Sequence, residues 1–543
     1  MKRKAVAAVL TAVMVASMFT GCGSDNGSSS AKRASAASAA NDTVDEDGKV
    51  NGIMYQEGLP LVDEGDYTFS IFCDDSSESG EFIMLDEFKK QTNVDVDLKI
   101  YPYETATERL NLDLNSGDYA DVIGGWTLSD NAILTYGVNQ GVFIPLEDYF
   151  EKYCPNISAI LDLPGVREKM TAPDGHIYTI PYVCTDTTVG YSPYINTKWL
   201  ENVGMSMPTT TDEFEAVLKA FKEQDANGNG DASDEIPFST DPNNKHIEAM
   251  AGYFGLPMNK LGIAIQNEKV VYGGVSDTYR EFLSWFHKLY AEGLVDVELY
   301  TQDSSTWEGK GNQDLYGVSI AYGSNEFTGI PAAEERGDFD SMPVLNTDKD
   351  GIWLRDTEGF SVYRTQAVIT NKAEHPEIIC RWFDNAFALE NGIGCNRGPV
   401  GVIVNKEDDG YHAIDTTTLS EEDQEKYSWG NLWPQSLPKY LPVDFEFVEE
   451  HPMYDEKKAT EEAYEANLTK EIIPSYWIDL DKIDTFSDTN TAIKDFFEQQ
   501  QAQFVCGELD IDNDADWQAY VDGMYSLGLE DWVATQGIEE IAK

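Results

Sequence analysis

The sequence predicts an α/β protein built as two lobes, each a mainly parallel sheet flanked by helices, with a cleft between them. Three observations carry that reading. Strand-like and helix-like runs alternate from Tyr67 onward, the pattern of parallel strand-helix-strand units. At 543 residues the chain is too long for one ordinary core. Between Ile177 and Leu200, two short runs rich in β-branched and aromatic residues flank Thr185-Asp186-Thr187-Thr188, as two extended segments joined at a break would. That break reads as a crossing from one lobe to the next, and ligands favour the clefts beside such crossings.

Along the chain, Met-Lys-Arg-Lys, an apolar stretch from Ala5 to Phe19 and Gly21-Cys22 compose a lipoprotein signal peptide over residues 1–21. Cleavage would leave Cys22 lipidated, with acyl chains such as palmitate anchoring the protein outside the membrane. The run after Cys22 is Ser, Ala and Gly, so residues 22–60 read as the lipidated Cys and a flexible tether. Tyr67 to Cys73 reads as a strand. A helix with Phe82, Leu85 and Phe88 on one face follows, and Val94, Val96, Leu98 and Ile100 then alternate as a second strand. Thr105 to Asn115 reads as a helix, Ala120 to Ile123 as a buried strand with Gly124-Gly125-Trp126 at its end, and Asp130 to Val138 as a helix.

Beyond the crossing, Thr210 and Glu213 have capping-box spacing ahead of Phe214, Val217, Leu218 and Phe221 at helical period. Helix (Asp277 to Glu292), strands (Gly317 to Tyr322 and Gly359 to Thr370) and a helix opened by His375-Pro376-Glu377 complete the pattern. The last hundred residues are acidic and largely helical.

Composition narrows the partners. With 97 acidic against 38 basic residues the net charge is −59, a surface that repels nucleic acid and anionic lipid. Six cysteines follow Cys22, none in metal-binding spacing, so mostly unpaired buried thiols are expected, with Cys380 and Cys395 the pair to check first. No phosphate loop, GxSxG elbow or HExxH motif occurs. A secreted glycoside hydrolase stays the alternative, because a carboxylate pair could hide among so many acids.

The leader, Asp121-Val122-Ile123 with its aromatic turn, Gly141 to Asp148, Gly175 to Tyr182 and His375-Pro376-Glu377 together resemble the family 1 extracellular solute-binding proteins of sugar ABC importers. The likeness is strongest to the larger lipoprotein branch with an Asp-x-Asn-Gly-Asn-Gly loop. The resemblance implies a type II periplasmic-binding-protein-like fold with lobes of non-contiguous segments, residues 61–185 plus about 360–425 and 186–359 plus about 426–543. It implies a non-enzymatic monomer that closes on an oligosaccharide and presents it to permease subunits.

Two sites follow. In Asp225 to Glu235, the residues Asp225, Asn227 and Asn229 occupy positions 1, 3 and 5 of a calcium loop. Gly230 falls at the sharp turn, Asp231 at position 7, and Asp234 and Glu235 close the loop. Hard oxygen donors suit a structural Ca²⁺, although position 12 holds no Glu. A plain Asn/Gly turn is the alternative. Sugar binding asks for aromatic faces and planar polar groups at the carboxyl ends of strands. On that rule, and by matching the family's cleft loops, Asp75, Glu78, Trp126, Asp186, Tyr191, Tyr322 and Asn325 are the ligand candidates, with Trp353, Arg355 and Trp433 behind them.

Overall fold

The structure is a computed structural model describing residues 39, 42–75, 81–242, 246–329, 338–414, 416–443, 445, 447–448, 452–538 and 540–542. The leader, Cys22 and Glu78 lie outside the described residues. Nine strands build the two sheets that matter for function: β1 (Tyr67–Asp74), β2 (Val94–Tyr101), β3 (Val122–Gly124), β4 (Thr179–Thr185), β5 (Ser192–Asn196), β6 (Ile236–Thr240), β7 (Tyr316–Ala321), β8 (Phe339–Ser341) and β9 (Phe360–Ile369). The first sheet has the order β2-β1-β3-β9-β4 and the second β8-β5-β7-β6.

Within the first sheet, β1 pairs parallel with β2 and β3, while β9 runs antiparallel between β3 and β4. Alternate residues of its strands enter different cores, as the two-residue period of a strand requires. Ile71, Val122 and Ile369 pack with Phe88, Trp382 and Phe383, whereas Phe72, Ile123 and Val368 pack with Leu110 and Leu134. A sheet covered on both faces explains why these strands read as continuous apolar runs. In the second sheet only β6 and β7 pair parallel. The strand β5 is antiparallel to both β7 and β8, so the expected mainly parallel arrangement holds less well there. The physical reason is common to both sheets: β5 and β9 are the strands that follow a crossing, so the chain enters each from the opposite end.

The helices named below are α1 (Thr211–Glu223), α2 (Asp277–Ala291), α3 (Pro376–Ala386), α4 (Pro452–Tyr464) and α5 (Ile483–Cys506). Thr210 Oγ1 accepts from Glu213 N at 3.2 Å and starts α1, whose Phe214, Val217, Leu218 and Phe221 are all buried. These residues join Phe282 and Phe286 of α2, Val318, Trp353, Tyr464, Phe497 and Trp532 in the second lobe's core. Pro376 fills the first turn of α3, where a missing N–H is harmless, and α3 buries Ile379, Trp382 and Phe383. Along α5, Ile483 packs with the first lobe's core, while Ile493, Phe497 and Phe504 pack with the second.

Two expected boundaries move. Residues 42–60 are not a tether: Lys49–Val50 and Met54–Tyr55 form an antiparallel hairpin, and Val50, Met54, Leu61 and Val62 are buried against the first lobe. Leu432 is also buried, and Trp433 and Leu437 lie in that same core, so the first lobe takes chain beyond about 425. The six described cysteines, Cys380 and Cys395 included, are free thiols. Among the described residues no helix is long and apolar enough to cross a membrane.

Candidate functional site

The break after Cys184 is the first crossing: β4 ends in one sheet at Thr185 and β5 begins in the other at Ser192. The return crossing, Arg355 to Gly359, runs beside it. Asp186 N donates to Gly359 O at 3.1 Å, Asp356 N to Thr188 O at 3.0 Å, and Thr357 Oγ1 to Thr187 O at 3.0 Å. Gly190 N donates to Asp356 Oδ2 at 2.7 Å, and a Cβ on Gly190 would lie 2.8 Å from that oxygen, so glycine is what lets the carboxylate approach.

On the first-lobe side, β3 ends in Gly124-Gly125. Gly125 has a φ of +133°, and a Cβ there would sit 2.3 Å from Asp74 Oδ1. The buried Asp74 carboxylate accepts from Trp126 N at 3.0 Å and Thr127 N at 2.6 Å, pinning the turn by its backbone. The indole is thereby left 45% exposed. It meets Tyr363 edge-on at 5.3 Å and Tyr182 at 6.4 Å, and those two rings stack on each other at 5.4 Å.

On the second-lobe side, Tyr191 stacks face to face on His246 at 4.0 Å and meets Tyr322 edge-on at 6.1 Å. Burial holds the His246 imidazole neutral by bringing its pKa down to about 4, with Lys260 adding to the effect. Burial and the Asp186 charge push the Tyr322 phenol up. Asp186 joins the two sides. Its Oδ1 accepts from Tyr322 Oη at 3.3 Å and Thr187 N at 2.8 Å, and its Oδ2 from Ser361 Oγ at 2.6 Å and Tyr363 Oη at 3.4 Å. A chain of rings thus runs from His246 through Tyr191 and Tyr322, across Asp186, to Tyr363, Tyr182 and Trp126.

Of the sequence candidates, Trp126, Asp186, Tyr191 and Tyr322 meet at the crossing, and the partly buried Asn325 opens the short helix that follows Tyr322. Three others belong elsewhere. Asp75 is 2% exposed and accepts from Gln435 N at 2.7 Å, so it anchors a loop. Trp353, 2% exposed, packs edge-on to Tyr464 at 5.6 Å, and Trp433, 0% exposed, stacks on Trp382 at 5.7 Å. Both are core residues, because the segments that carry them turn inward rather than out from a strand end. Arg355 pins the chain after α4: its Nε donates to Thr469 O at 3.2 Å and its Nη2 pairs with Glu465 at 3.3 Å. Sequence reasoning missed Asp74, Tyr182, Tyr363 and His246. Tyr182 and Tyr363 carry a usable signal, being aromatic residues on the two strands that flank the crossings.

The Asp225 loop has two buried oxygens without a hydrogen-bond partner, Asp225 Oδ1 and Glu235 Oε2. Their companions are engaged: Asp225 Oδ2 accepts from Gly230 N at 2.9 Å and Glu235 Oε1 from Ala226 N at 2.8 Å. Asp234 takes the amides of Asn227 and Asn229, at 3.3 and 2.7 Å. Burial pushes the Glu235 carboxyl up. Orphaned buried carboxylate oxygens are costly unless a cation meets them, so the donor set fits a hard divalent ion.

Two α/β sheets, paired crossings and aromatic rings on either side define a two-lobed solute-binding protein. The chain belongs to the bacterial extracellular solute-binding protein family, which matches residues 76–392. It is 33% identical over 335 residues to the fructooligosaccharide ABC transporter substrate-binding protein FusA of Streptococcus pneumoniae serotype 4 (strain ATCC BAA-334 / TIGR4). That stretch covers 60% of this chain and 61% of FusA's length. In structure it is similar to S. pneumoniae FusA in complex with kestose, with a TM-score of 0.76 and 26% identity over 86% of this chain and 98% of that one. It is likewise similar to a FusA EF-hand mutant in complex with fructo-nystose, with a TM-score of 0.73 and 27% identity over 86% and 98% of the two chains.

Proposed function

We propose that this protein captures an oligosaccharide between its lobes and delivers it to the permease of an ABC importer, as a monomer tethered outside the cell membrane through lipidated Cys22. The observation that carries the reading is the ring chain at the crossing. The exposed Trp126 indole and the partly buried phenols suit the apolar faces of sugar rings, while Asp186, Asn325 and the tyrosine hydroxyls suit sugar hydroxyls. FusA's description as an oligosaccharide-binding ABC transporter protein supports it. In this reading the chain performs no chemistry, and the lobes close by bending at the crossings.

Calcium is proposed as a structural ion in the Asp225 loop, held by Asp225 and Glu235 with Asn227, Asn229 and Asp231 contributing oxygens. Asp234, already bonded to two amides, would support the loop from outside. The ion would tie the end of α1 to the start of β6. The similarity to a FusA EF-hand mutant supports this reading.

Thermal-shift screening against a glycan panel tests the function, since a ligand of the folded state raises the melting temperature by mass action. An oligosaccharide that raises it, with no new reducing ends released, supports binding over hydrolysis. Release of reducing ends would favour the glycoside hydrolase.

A further inference from the structure

Lys457 lies on α4, far in sequence from every residue of the aromatic chain, and it is 3% exposed. Its Nζ donates to Gly190 O at 2.7 Å, in the first crossing, and to Tyr322 O, at the base of the second-lobe rings. The same ammonium sits 4.0 Å from the centroid of the Tyr322 ring. Its helix is otherwise committed to the same neighbourhood. Glu461 Oε1 accepts from Thr188 N at 2.5 Å, Glu456 accepts from Ser324 N at 2.8 Å and Ser324 Oγ at 2.5 Å, and Tyr464 donates to Met342 O at 2.8 Å. One face of α4 therefore grips the crossing and the second lobe together.

We propose that Lys457 is a positioning residue for ligand capture, its ammonium clamping the crossing to the Tyr322 loop so that the second-lobe rings are set before a sugar arrives. The inference rests on the sugar-binding reading above and adds to it a residue that touches no sugar. Charged hydrogen bonds to two carbonyls and a cation facing an aromatic ring are both stronger away from water than at a surface, which favours a single geometry for the loop. A preset loop loses less freedom when ligand binds.

The clamp has a chemical signature. Burial brings the Lys457 pKa down to about 8. The carboxylates facing it oppose that shift: Glu456 and Glu461 from its own helix, Glu326 from the short helix after β7 and Asp356 from the return crossing. Deprotonation removes the charge from both hydrogen bonds and from the ring contact, and leaves those four carboxylates without their shared cation. Affinity is therefore expected to fall as pH rises through about 8. Folding stability moves the other way. The unfolded chain holds the lysine proton to about pH 10.4, so between those values it binds more protons than the native state, and this group's contribution rises with pH. A lysine that merely filled space would show the stability trend and leave affinity flat.

The test uses the full mature protein, wild type beside Lys457→Met and Lys457→Gln, with kestose and a panel of other oligosaccharides as probes. Without ligand, hydrogen exchange at the Thr188 and Gly190 amides and around Ser324 should quicken in the variants, with the strands of the first sheet unchanged. With a binding sugar, the variants should lose about tenfold in affinity. The wild-type affinity should drop between about pH 7 and 9.5 while that of the variants stays flat. Unchanged exchange at the crossing, variant affinity equal to wild type, or a flat wild-type pH profile would each overturn the clamp. If no sugar binds the wild type, the functional reading fails, and the exchange comparison alone still decides the clamp. If neither variant folds, the wild-type pH profile decides it.

Discussion

The two sides of the site are built by different means. On the first-lobe side, Trp126 is presented by a strand end, two glycines and one buried carboxylate that holds only backbone N–H groups. On the second-lobe side, Tyr191 and Tyr322 are held by side chains: a stacked imidazole, the Asp186 carboxylate and the Lys457 ammonium. A ring held through its backbone can be removed without disturbing its support. A ring held by charged partners, as Tyr322 is by Asp186 and Lys457, cannot, because its loss leaves those partners poorly satisfied. The first side is thus a platform laid on the fold, and the second is a network that belongs to it.

The largest effect expected lies behind the platform. Trp433→Ala removes a fully buried indole stacked on Trp382 and should cost about 3–5 kcal/mol of stability in urea unfolding, leaving the rings at the crossing in place. Trp126→Ala sharpens the contrast. It should weaken sugar binding by about 2 kcal/mol, roughly thirtyfold, while the ligand-free melting temperature stays within a degree or so. A large loss of stability with unchanged affinity would move Trp126 into the core and dissolve the comparison.

Chelation by EDTA should lower the melting temperature by a few degrees, and Asp225→Ala should remove that sensitivity, since a ligand bound only by the folded state stabilises it by mass action. If the wild type ignores chelator, the loop is a simple turn. The smallest effect concerns His246. Its folded pKa, about 4, lies below the ordinary value near 6.5, so the unfolded chain binds more protons between them and stability rises with pH across that window. His246→Gln should flatten this rise, and affinity should be level from about pH 5.5 to 7 because the imidazole is already neutral.

What could be read from the sequence follows the same division. The exposed position of Trp126 is legible because its presentation is local: a buried strand, then Gly-Gly, then an aromatic residue. The turn at Asp225 is legible for the same reason, and Asp225 Oδ1 and Glu235 Oε2, buried without a hydrogen-bond partner, fall within it. Trp353 and Trp433 read as site candidates in the sequence because an aromatic residue near a loop looks the same whether the segment turns outward or inward. Packing against Tyr464 and Trp382, each distant in sequence, decides that. Lys457 could not be found by spacing at all, since Gly190 and Tyr322 lie 267 and 135 residues before it. The alternation of strands and helices revealed the α/β class, but not that β5 and β9 run against their neighbours, because strand direction depends on where a crossing delivers the chain.

The paired crossings carry one more consequence. Three hydrogen bonds, from Asp186 N, Asp356 N and Thr357 Oγ1, join the two segments side by side, and Gly190 N adds a fourth through the Asp356 carboxylate. Two segments cross-linked in this way act as a ribbon. A ribbon is stiff against shear in its own plane and against stretching, and compliant to bending across its face. In the proposed closing motion this ribbon would contribute one soft coordinate, bending across its face, beside α5, which packs on the cores of both lobes. Spin labels on the outer helices of the two lobes should report distances that change along a single correlated path, narrow at every degree of closure.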